Sequence, residues 1–290
     1  MVNISQLYLE IRSQLSINDD MQSASLQARN LLCTATGLKY EQLLAVWNQP
    51  ASHDICATVA SMKDRILAGE PLAYVLGEWD FYGLTLHVDR NVLIPRDDTC
   101  AVTDLAIRQA LFLGQAPRIL DLCCGSGCIG LAIAENVKDA RVTLADISPE
   151  AISIAKKNVQ RCKLGGRVNC VQANALEESP TFLGKFDLIV SNPPYITTAQ
   201  MGELEPSVKD FEPHLALHGG NDGLDFYRAI VMNYAYALKP DGYLCFEFGY
   251  GQGNDICRIL QANQYDILDR TVDYNGIERA VIAQYRRKDD

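Results

Sequence analysis

The stretch from Arg118 to Asp146 restricts the fold more than any other part of the chain. Arg118 to Leu122 is a short apolar run of strand type, and Asp121-Leu122-Cys123-Cys124-Gly125-Ser126-Gly127-Cys128-Ile129-Gly130 follows as a turn into a helix that continues through Ala134. Gly125, Gly127 and Gly130 satisfy G-x-G-x-x-G, in which glycines allow a tight turn and a close backbone approach to a ligand. A second strand, Val142 to Ala145, ends at Asp146, the place where an acid grips ribose hydroxyls. Strand, glycine turn, helix, strand and acid together imply an open α/β fold with a parallel sheet and an adenosine-containing cofactor.

Charge selects among such cofactors. A carboxylate at Asp121, just before the glycines, would repel the pyrophosphate of NAD or FAD at short range. S-adenosylmethionine carries a sulfonium and an ammonium and no phosphate, so the same carboxylate attracts it. The spacing of Cys123, Cys124 and Cys128 is not that of a metal site, and no His is near. No metal is expected.

Two further strands reach the same sheet edge. Arg167 to Gln172 ends in Ala173-Asn174-Ala175, where Asn174 is placed for the adenine amino group or ring nitrogen, or to cap the loop. Phe186 to Ser191 ends in Asn192-Pro193-Pro194-Tyr195. The prolines cannot donate backbone hydrogen bonds and hold φ near −65°, so pairing stops and carbonyls are left free. Asn192 adds a side-chain carbonyl beside that of Pro193, and Tyr195 adds a flat face. Two rigid acceptors suit the hydrogens of an –NH2 group on a planar amide or amine. Gripped there, the nitrogen can pyramidalise and aim its lone pair at a methyl group, with no general base needed before transfer.

Helical periodicity marks four short helices before this region: Ile4 to Leu15, a second from Asp19 or Asp20 to Gly37, Leu38 to Trp47, and a fourth bearing Ile55, Val59, Met62 and Ile66 and ending at Gly69 and Pro71. Residues 1–72 are thus expected as a helical domain, 73–96 as a β-hairpin linker turning at Gly83, and 97–290 as the α/β domain. Asp97, Asp98 or Thr99 is placed to cap a helix running to Ala110, and Arg96, expected among the substrate-binding residues, is either a solvated charge or meets a carboxylate near the cleft. After Tyr195, residues 196–224 lack periodicity and are expected to form a cleft wall or lid. Then follow a helix from Asp225 to Leu238, a strand from Tyr243 to Phe248, a helix from Gln252 to Ala262, and two strands joined at Asn275-Gly276.

Lys and Arg total 26 against 36 Asp and Glu, a net charge of −10, which opposes non-specific binding to a polyanion. No apolar run of about 18 residues and no secretory pattern occurs, which places the expected location in the cytoplasm, away from membranes. Most of the ten cysteines lie in apolar runs and are expected as reduced, buried thiols.

Over nearly its full length the chain resembles the peptide chain release factor N(5)-glutamine methyltransferases, in the Rossmann-like seven-stranded class of S-adenosylmethionine-dependent methyltransferases. The resemblance rests on Glu70-Pro71-Leu72-Ala73-Tyr74-Val75-Leu76-Gly77, Val92-Leu93-Ile94-Pro95-Arg96, the glycine turn, Ala145-Asp146-Ile147-Ser148-Pro149-Glu150-Ala151, Ser191-Asn192-Pro193-Pro194-Tyr195-Ile196, Phe211-Glu212-Pro213-His214-Leu215-Ala216-Leu217 and Gly219-Gly220-Asn221-Asp222-Gly223-Leu224-Asp225-Phe226-Tyr227. It implies methyl transfer to the Gln amide of a Gly-Gly-Gln loop in class I release factors, held by the helical domain. It also implies a donor site at Cys123, Cys124, Gly125, Ser126, Gly127, Asp146, Ile147, Ala175 and Asn192, and an acceptor clamp at Asn192, Pro193, Pro194 and Tyr195. Three positions depart from the family pattern: Cys123 stands for its first glycine, Asn174 for a common Asp, and Cys100 for the final Glu of Pro-Arg-Pro-Glu-Thr-Glu.

Asn-Pro-Pro-Tyr is shared with enzymes that methylate exocyclic amines of adenine and guanine, so nucleic-acid methylation is an alternative. The acidic balance argues against it, and stable nucleic-acid binding is not expected. A non-catalytic partner-binding module, its donor site spoiled by Cys123, is a second alternative. A dinucleotide oxidoreductase is a third, with no proton-relay residue near Tyr195 to support it.

Overall fold

Polar side chains just ahead of apolar stripes start the helices of the N-terminal region. Asn3 forms a capping box with Gln6 at the head of α1 (Ile4–Leu15), and Asp20 accepts from the backbone of Gln22 and Ser23 to start α2 (Met21–Thr36), which ends on left-handed Gly37. After α3 (Tyr40–Ala45), Ser52 caps α4 (His53–Leu67). A fifth helix, α5 (Leu72–Leu76), stands between Pro71 and left-handed Gly77, inside the expected hairpin linker. Five residues are too few for helical periodicity to show in sequence. Leu7, Ile11, Leu31, Leu32, Leu43 and Val59 close a core of their own beneath these helices.

The computed structural model describes residues 2–17 and 19–286. They divide into two units, Met1–Glu78 with Pro206–Phe211, and Trp79–Glu205 with Glu212–Asp290. In the first, the Phe211 ring lies 3.7 Å from where a Cβ on Gly69 would be.

The hairpin pairs β1 (Glu78–Phe81) with β2 (Leu84–His87) across Tyr82 and Gly83, both at positive φ, the two-residue turn that matches strand twist. Asn158 then fixes it, accepting from the His87 amide and donating to the His87 carbonyl. The expected side-chain cap before the next helix is absent: Asp97–Thr99 forms a 3-10 turn, and α6 (Cys100–Leu113) follows with no capping hydrogen bond. Asp98 and Thr99 have other partners. Asp98 pairs with Arg279 at 2.8 Å, and Thr99 is buried under the sheet edge.

Next come β3 (Arg118–Leu122), α7 (Cys128–Asn136), β4 (Arg141–Asp146), α8 (Pro149–Arg161), β5 (Val168–Gln172), β6 (Phe186–Ser191), the single turn α9 (Pro206–Lys209), α10 (Asp225–Asn233), β7 (Leu238–Glu247), α11 (Gly253–Ala262), β8 (Tyr265–Val272) and β9 (Glu278–Tyr285). The sheet runs β5-β4-β3-β6-β7-β9-β8, with β9 alone antiparallel. This is the open, mostly parallel seven-stranded α/β sheet that the resemblance implies. Alternate residues enter opposite cores: Ile119, Leu188, Val190 and Cys245 face α6, α7 and α8, while Leu120, Ile189, Leu244 and Phe246 face α10 and α11.

Two boundaries differ from expectation. The helix from Asp225 stops at Asn233 and gives way to a 3-10 turn at Ala235–Ala237, and β7 begins at Leu238, five residues before Tyr243. Leu238 pairs with Phe186 and Tyr243 with Leu188, so Lys239 to Gly242 loop out of the ladder. Such an excursion hides a strand from period-two reading. The hairpin at Asn275-Gly276 is present, with Gly276 at φ 76° and the Asp273 carboxylate accepting from the Asn275 and Ile277 amides. Among the described residues no helix is long and apolar enough to cross a membrane, the ten cysteines are free, and no cluster of metal-ligand type occurs.

Candidate active site

Strand order reverses between β3 and β6, so β4 and β5 lie to one side and β7 to the other. A crevice opens there at the carboxyl ends of the parallel strands. Cys123 follows β3 with φ 60°, a left-handed conformation in which glycine is unstrained. The position therefore favours glycine on backbone grounds, and Cys123 occupies it at a conformational cost of about 1 kcal/mol. Gly125 and Gly127 also have positive φ, and a Cβ on Gly127 would lie 2.8 Å from Leu144. Gly130 serves packing: a Cβ there would lie 2.3 Å from Leu144. All three glycines of the fingerprint thus have a steric reason.

The two acids split in a way the sequence did not reveal. Asp121 is fully buried, accepts from the Gly130 amide at 2.8 Å, and does not line the crevice. Its expected place facing a cofactor is corrected: β3 turns the carboxylate under α7, and burial pushes its pKa up to about 7. Asp146 is the acid that lines the cavity. Its Oδ2 accepts from the Gly125 amide at 2.9 Å and its Oδ1 from the Ser148 amide at 3.0 Å, while burial, the largest influence, raises its pKa.

Around this carboxylate the cavity is lined by Cys123 to Ser126, Ile147, Ala173 to Leu176, and Asn192 with Pro194. No Lys, Arg or His lines it, a poor setting for phosphate and a good one for a cationic adenosyl ligand. Exposed Ile147 and Leu176 supply apolar surface of the kind a purine stacks on. Asn174 also lines it, but its side chain closes its own loop, accepting from the Leu176 amide and donating to Glu177.

The opposite wall is Val92 to Leu93, Pro95, and Pro213, Leu215 and Ala216 from the segment after Tyr195. Arg96 does not line the cavity. It pairs with buried Glu212, whose Oε2 also accepts from the Ile94 amide at 3.2 Å. That pair ties the two halves of the wall together, so Arg96 acts here as a brace.

At the end of β6, the Ser191 hydroxyl donates to the Leu122 carbonyl at 2.6 Å, and Asn192 Nδ2 donates to Thr99 Oγ1 at 3.4 Å. Asn192 and Pro194 line the cavity around Asp146, Pro193 lines neither it nor its neighbour, and Tyr195 lines a second cavity with Gln200, Glu203, Asp222, Gln252 and Arg279. Burial raises the Tyr195 pKa, which keeps its hydroxyl neutral. Backbone from a distant segment sheathes this loop. The Ile196 amide donates to Leu217, the Gly219 amide to Ile196, and Cβ atoms on Gly219 and Gly223 would lie 2.6 Å from the Pro194 carbonyl oxygen and 2.3 Å from that of Tyr195.

Sequence reasoning offered Thr99 only as a helix cap and missed its contact with Asn192, as well as Glu247 and the role of these glycines. Glu247, at the end of β7, is 2% exposed beside Asn192 and Thr99. A glutamate closing an apolar strand just before Gly249, Gly251 and Gly253 was the available signal.

Residues 105–205 match the Methyltransferase small domain model and residues 6–77 the PrmC N-terminal domain. A release factor glutamine methyltransferase of Geobacter sulfurreducens is 38% identical over 90% of this chain and 89% of its own length. One of Bradyrhizobium diazoefficiens is also 38% identical, over 91% of this chain and 89% of its own length. Among solved structures, the hMettl16 catalytic domain in complex with MAT2A 3'UTR hairpin 6 aligns with a TM-score of 0.57 over 72% of this chain and 78% of that one. It is 14% identical, a likeness of fold alone.

Proposed function

We propose that this chain, which belongs to the release factor glutamine methyltransferase family, methylates the side-chain amide nitrogen of the glutamine in the Gly-Gly-Gln loop of class I release factors. S-adenosylmethionine is the donor and supplies a methyl group on a positively charged sulfur. Asp146 carries the reading: its two oxygens are each held by a backbone amide, with lone pairs left over for vicinal ribose hydroxyls. Cys123 to Ser126 pack along the donor, while Gly127, expected there too, does not line the cavity and instead turns the chain into α7; Ile147 and Ala175 flank the adenine, and Asn174 shapes that end through its loop. Asn192 and the Pro193 carbonyl accept the two amide hydrogens, and the side chain enters between Asn192 and the Tyr195 ring. Pro194 keeps that turn rigid.

Residues 1–72 form the part that holds the release factor, 73–96 the linker, and 97–290 the part that carries out transfer. The acidic surface, at a net charge of −10, favours a protein acceptor over a stable nucleic-acid complex. Release factors work with ribosomes, which makes the cytoplasm the place of reaction. Incubation with labelled donor and a purified class I release factor, followed by mass spectrometry, tests the assignment. Label on the Gly-Gly-Gln glutamine supports it, and label elsewhere or none refutes it.

A further inference from the structure

Asn192 can serve as an acceptor only if its carboxamide is turned the right way. A carboxamide has nearly the same shape after a 180° flip, and the flipped form would present –NH2 to the –NH2 of the substrate. The surroundings of the side chain must therefore distinguish its two ends.

Two buried groups make that distinction. Ser191 pairs with Phe246 in the register of β6 and β7, which brings Asn192 alongside Glu247. Thr99 is 2% exposed and takes one Nδ2 hydrogen on its hydroxyl. The Glu247 carboxylate is 2% exposed beside Thr99 and Asn192, and its Oε2 has no hydrogen-bond partner among the described residues. A buried carboxylate oxygen without a partner costs stability, and a fold keeps such a group where function requires it.

We propose that Glu247 is a positioning residue that holds the Asn192 carboxamide with Nδ2 inward, leaving Oδ1 for the acceptor amide. An ionised carboxylate only accepts, so it must face Nδ2. Thr99 completes the arrangement, accepting from Nδ2 and donating to Glu247. This role rests on the reading of Asn192 as the acceptor clamp.

Protonation would remove the discrimination, since a neutral Glu247 can donate to Oδ1 and favour the flipped form. Burial pushes the Glu247 pKa up to about 7, Asp98 adds to the rise, and the nearby Thr99 hydroxyl, Arg279 and the Asn192 amide oppose it. Tyr195, Tyr227, Cys100 and Cys128, which also face Glu247, all have raised pKa values and stay neutral between pH 6 and pH 8.

The test measures turnover of full-length wild type and Glu247→Gln with labelled S-adenosylmethionine and a purified class I release factor between about pH 6 and pH 8.5, a range chosen to bracket the pKa. Loss of one transition-state acceptor predicts that Glu247→Gln lowers kcat roughly 10²-fold at pH 8. Its KM for the donor stays within about twofold, and the wild-type fall in kcat below about pH 7 disappears. A kcat close to wild type at pH 8, or an acid limb that survives in the variant, overturns the proposal. Thr99→Val guards against a folding defect in the first variant: a kcat loss of about fivefold or more with unchanged donor affinity is expected, and a smaller loss counts against it. If wild type labels no release factor, the functional reading fails; if it does and both variants match it, only the positioning role fails.

Discussion

Gly219→Ala tests the sheath around the Asn-Pro-Pro-Tyr loop. Gly219 does not have a left-handed φ, so a side chain there meets no backbone strain and the effect is one of space alone. The added Cβ would lie 2.6 Å from the Pro194 carbonyl oxygen, 2.7 Å from Tyr195 Cα and 2.9 Å from Tyr195 C. Ordinary contacts of this kind are about 3.5 Å, so the two backbones must separate by the better part of 1 Å. They are also tied by the Ile196–Leu217 and Gly219–Ile196 hydrogen bonds at 2.9 and 2.8 Å, so the shift passes into the loop. Overpacking of this type costs about 1–3 kcal/mol of stability, and a displacement near 1 Å at a reacting centre costs about 10²-fold in rate. Single-turnover transfer should therefore slow about 10²-fold while calorimetry shows donor affinity within about twofold of wild type. Gly166→Ala is the control, because a Cβ there meets nothing within 4 Å. Transfer by Gly219→Ala within about threefold of wild type would refute the claim that this segment positions the loop.

Asn192→Ala should cut turnover by at least about tenfold yet keep donor binding, since the carboxamide contributes mainly in the transition state; turnover within tenfold counts against the clamp. Asp146→Asn should weaken donor binding by about 10-fold to 100-fold by calorimetry, from the loss of charge-assisted hydrogen bonds; unchanged affinity would exclude the ribose contact. Asp121 has a folded-state pKa near 7 against a reference of 3.8, so the native state holds more protons than the unfolded one between these values, and its contribution to stability falls as pH rises through that window. Asp121→Asn should make stability fall less steeply from pH 4 to pH 7 in denaturant unfolding, with Glu247 leaving a residual slope of the same sign; an unchanged slope would show that Asp121 is ionised throughout. Asp20→Ala should remove the α2 cap and about 1 kcal/mol of stability with kcat unaltered; a melting temperature equal to that of wild type would show the cap to be dispensable.

Much of the architecture was legible because it is encoded over a few residues. The strand–glycine–helix unit from Arg118 to Asp146, the cap at Asp20 and the Asn275-Gly276 hairpin each depend on backbone sterics or on side chains three or four positions apart. The short α5 and the excursion inside β7 were not legible, the one too brief to show a period and the other interrupting it.

The site divides along the same line. Asp146, Asn192 and the glycine turn reach the crevice because parallel strands deliver their last residues to one edge, and the pattern of strands is written in the sequence by itself. Whether an acid near that edge faces ligand or core is another matter: Asp121 stands next to last in β3 and Asp146 last in β4, yet one lies under α7 and the other lines the cavity. Likewise Arg96 found Glu212 across 116 residues, Thr99 reached Asn192 across 93, and Glu247 came beside both through strand register. Only tertiary packing decided these, because a buried polar group takes whichever partner long-range packing brings within reach, and no local spacing records that choice.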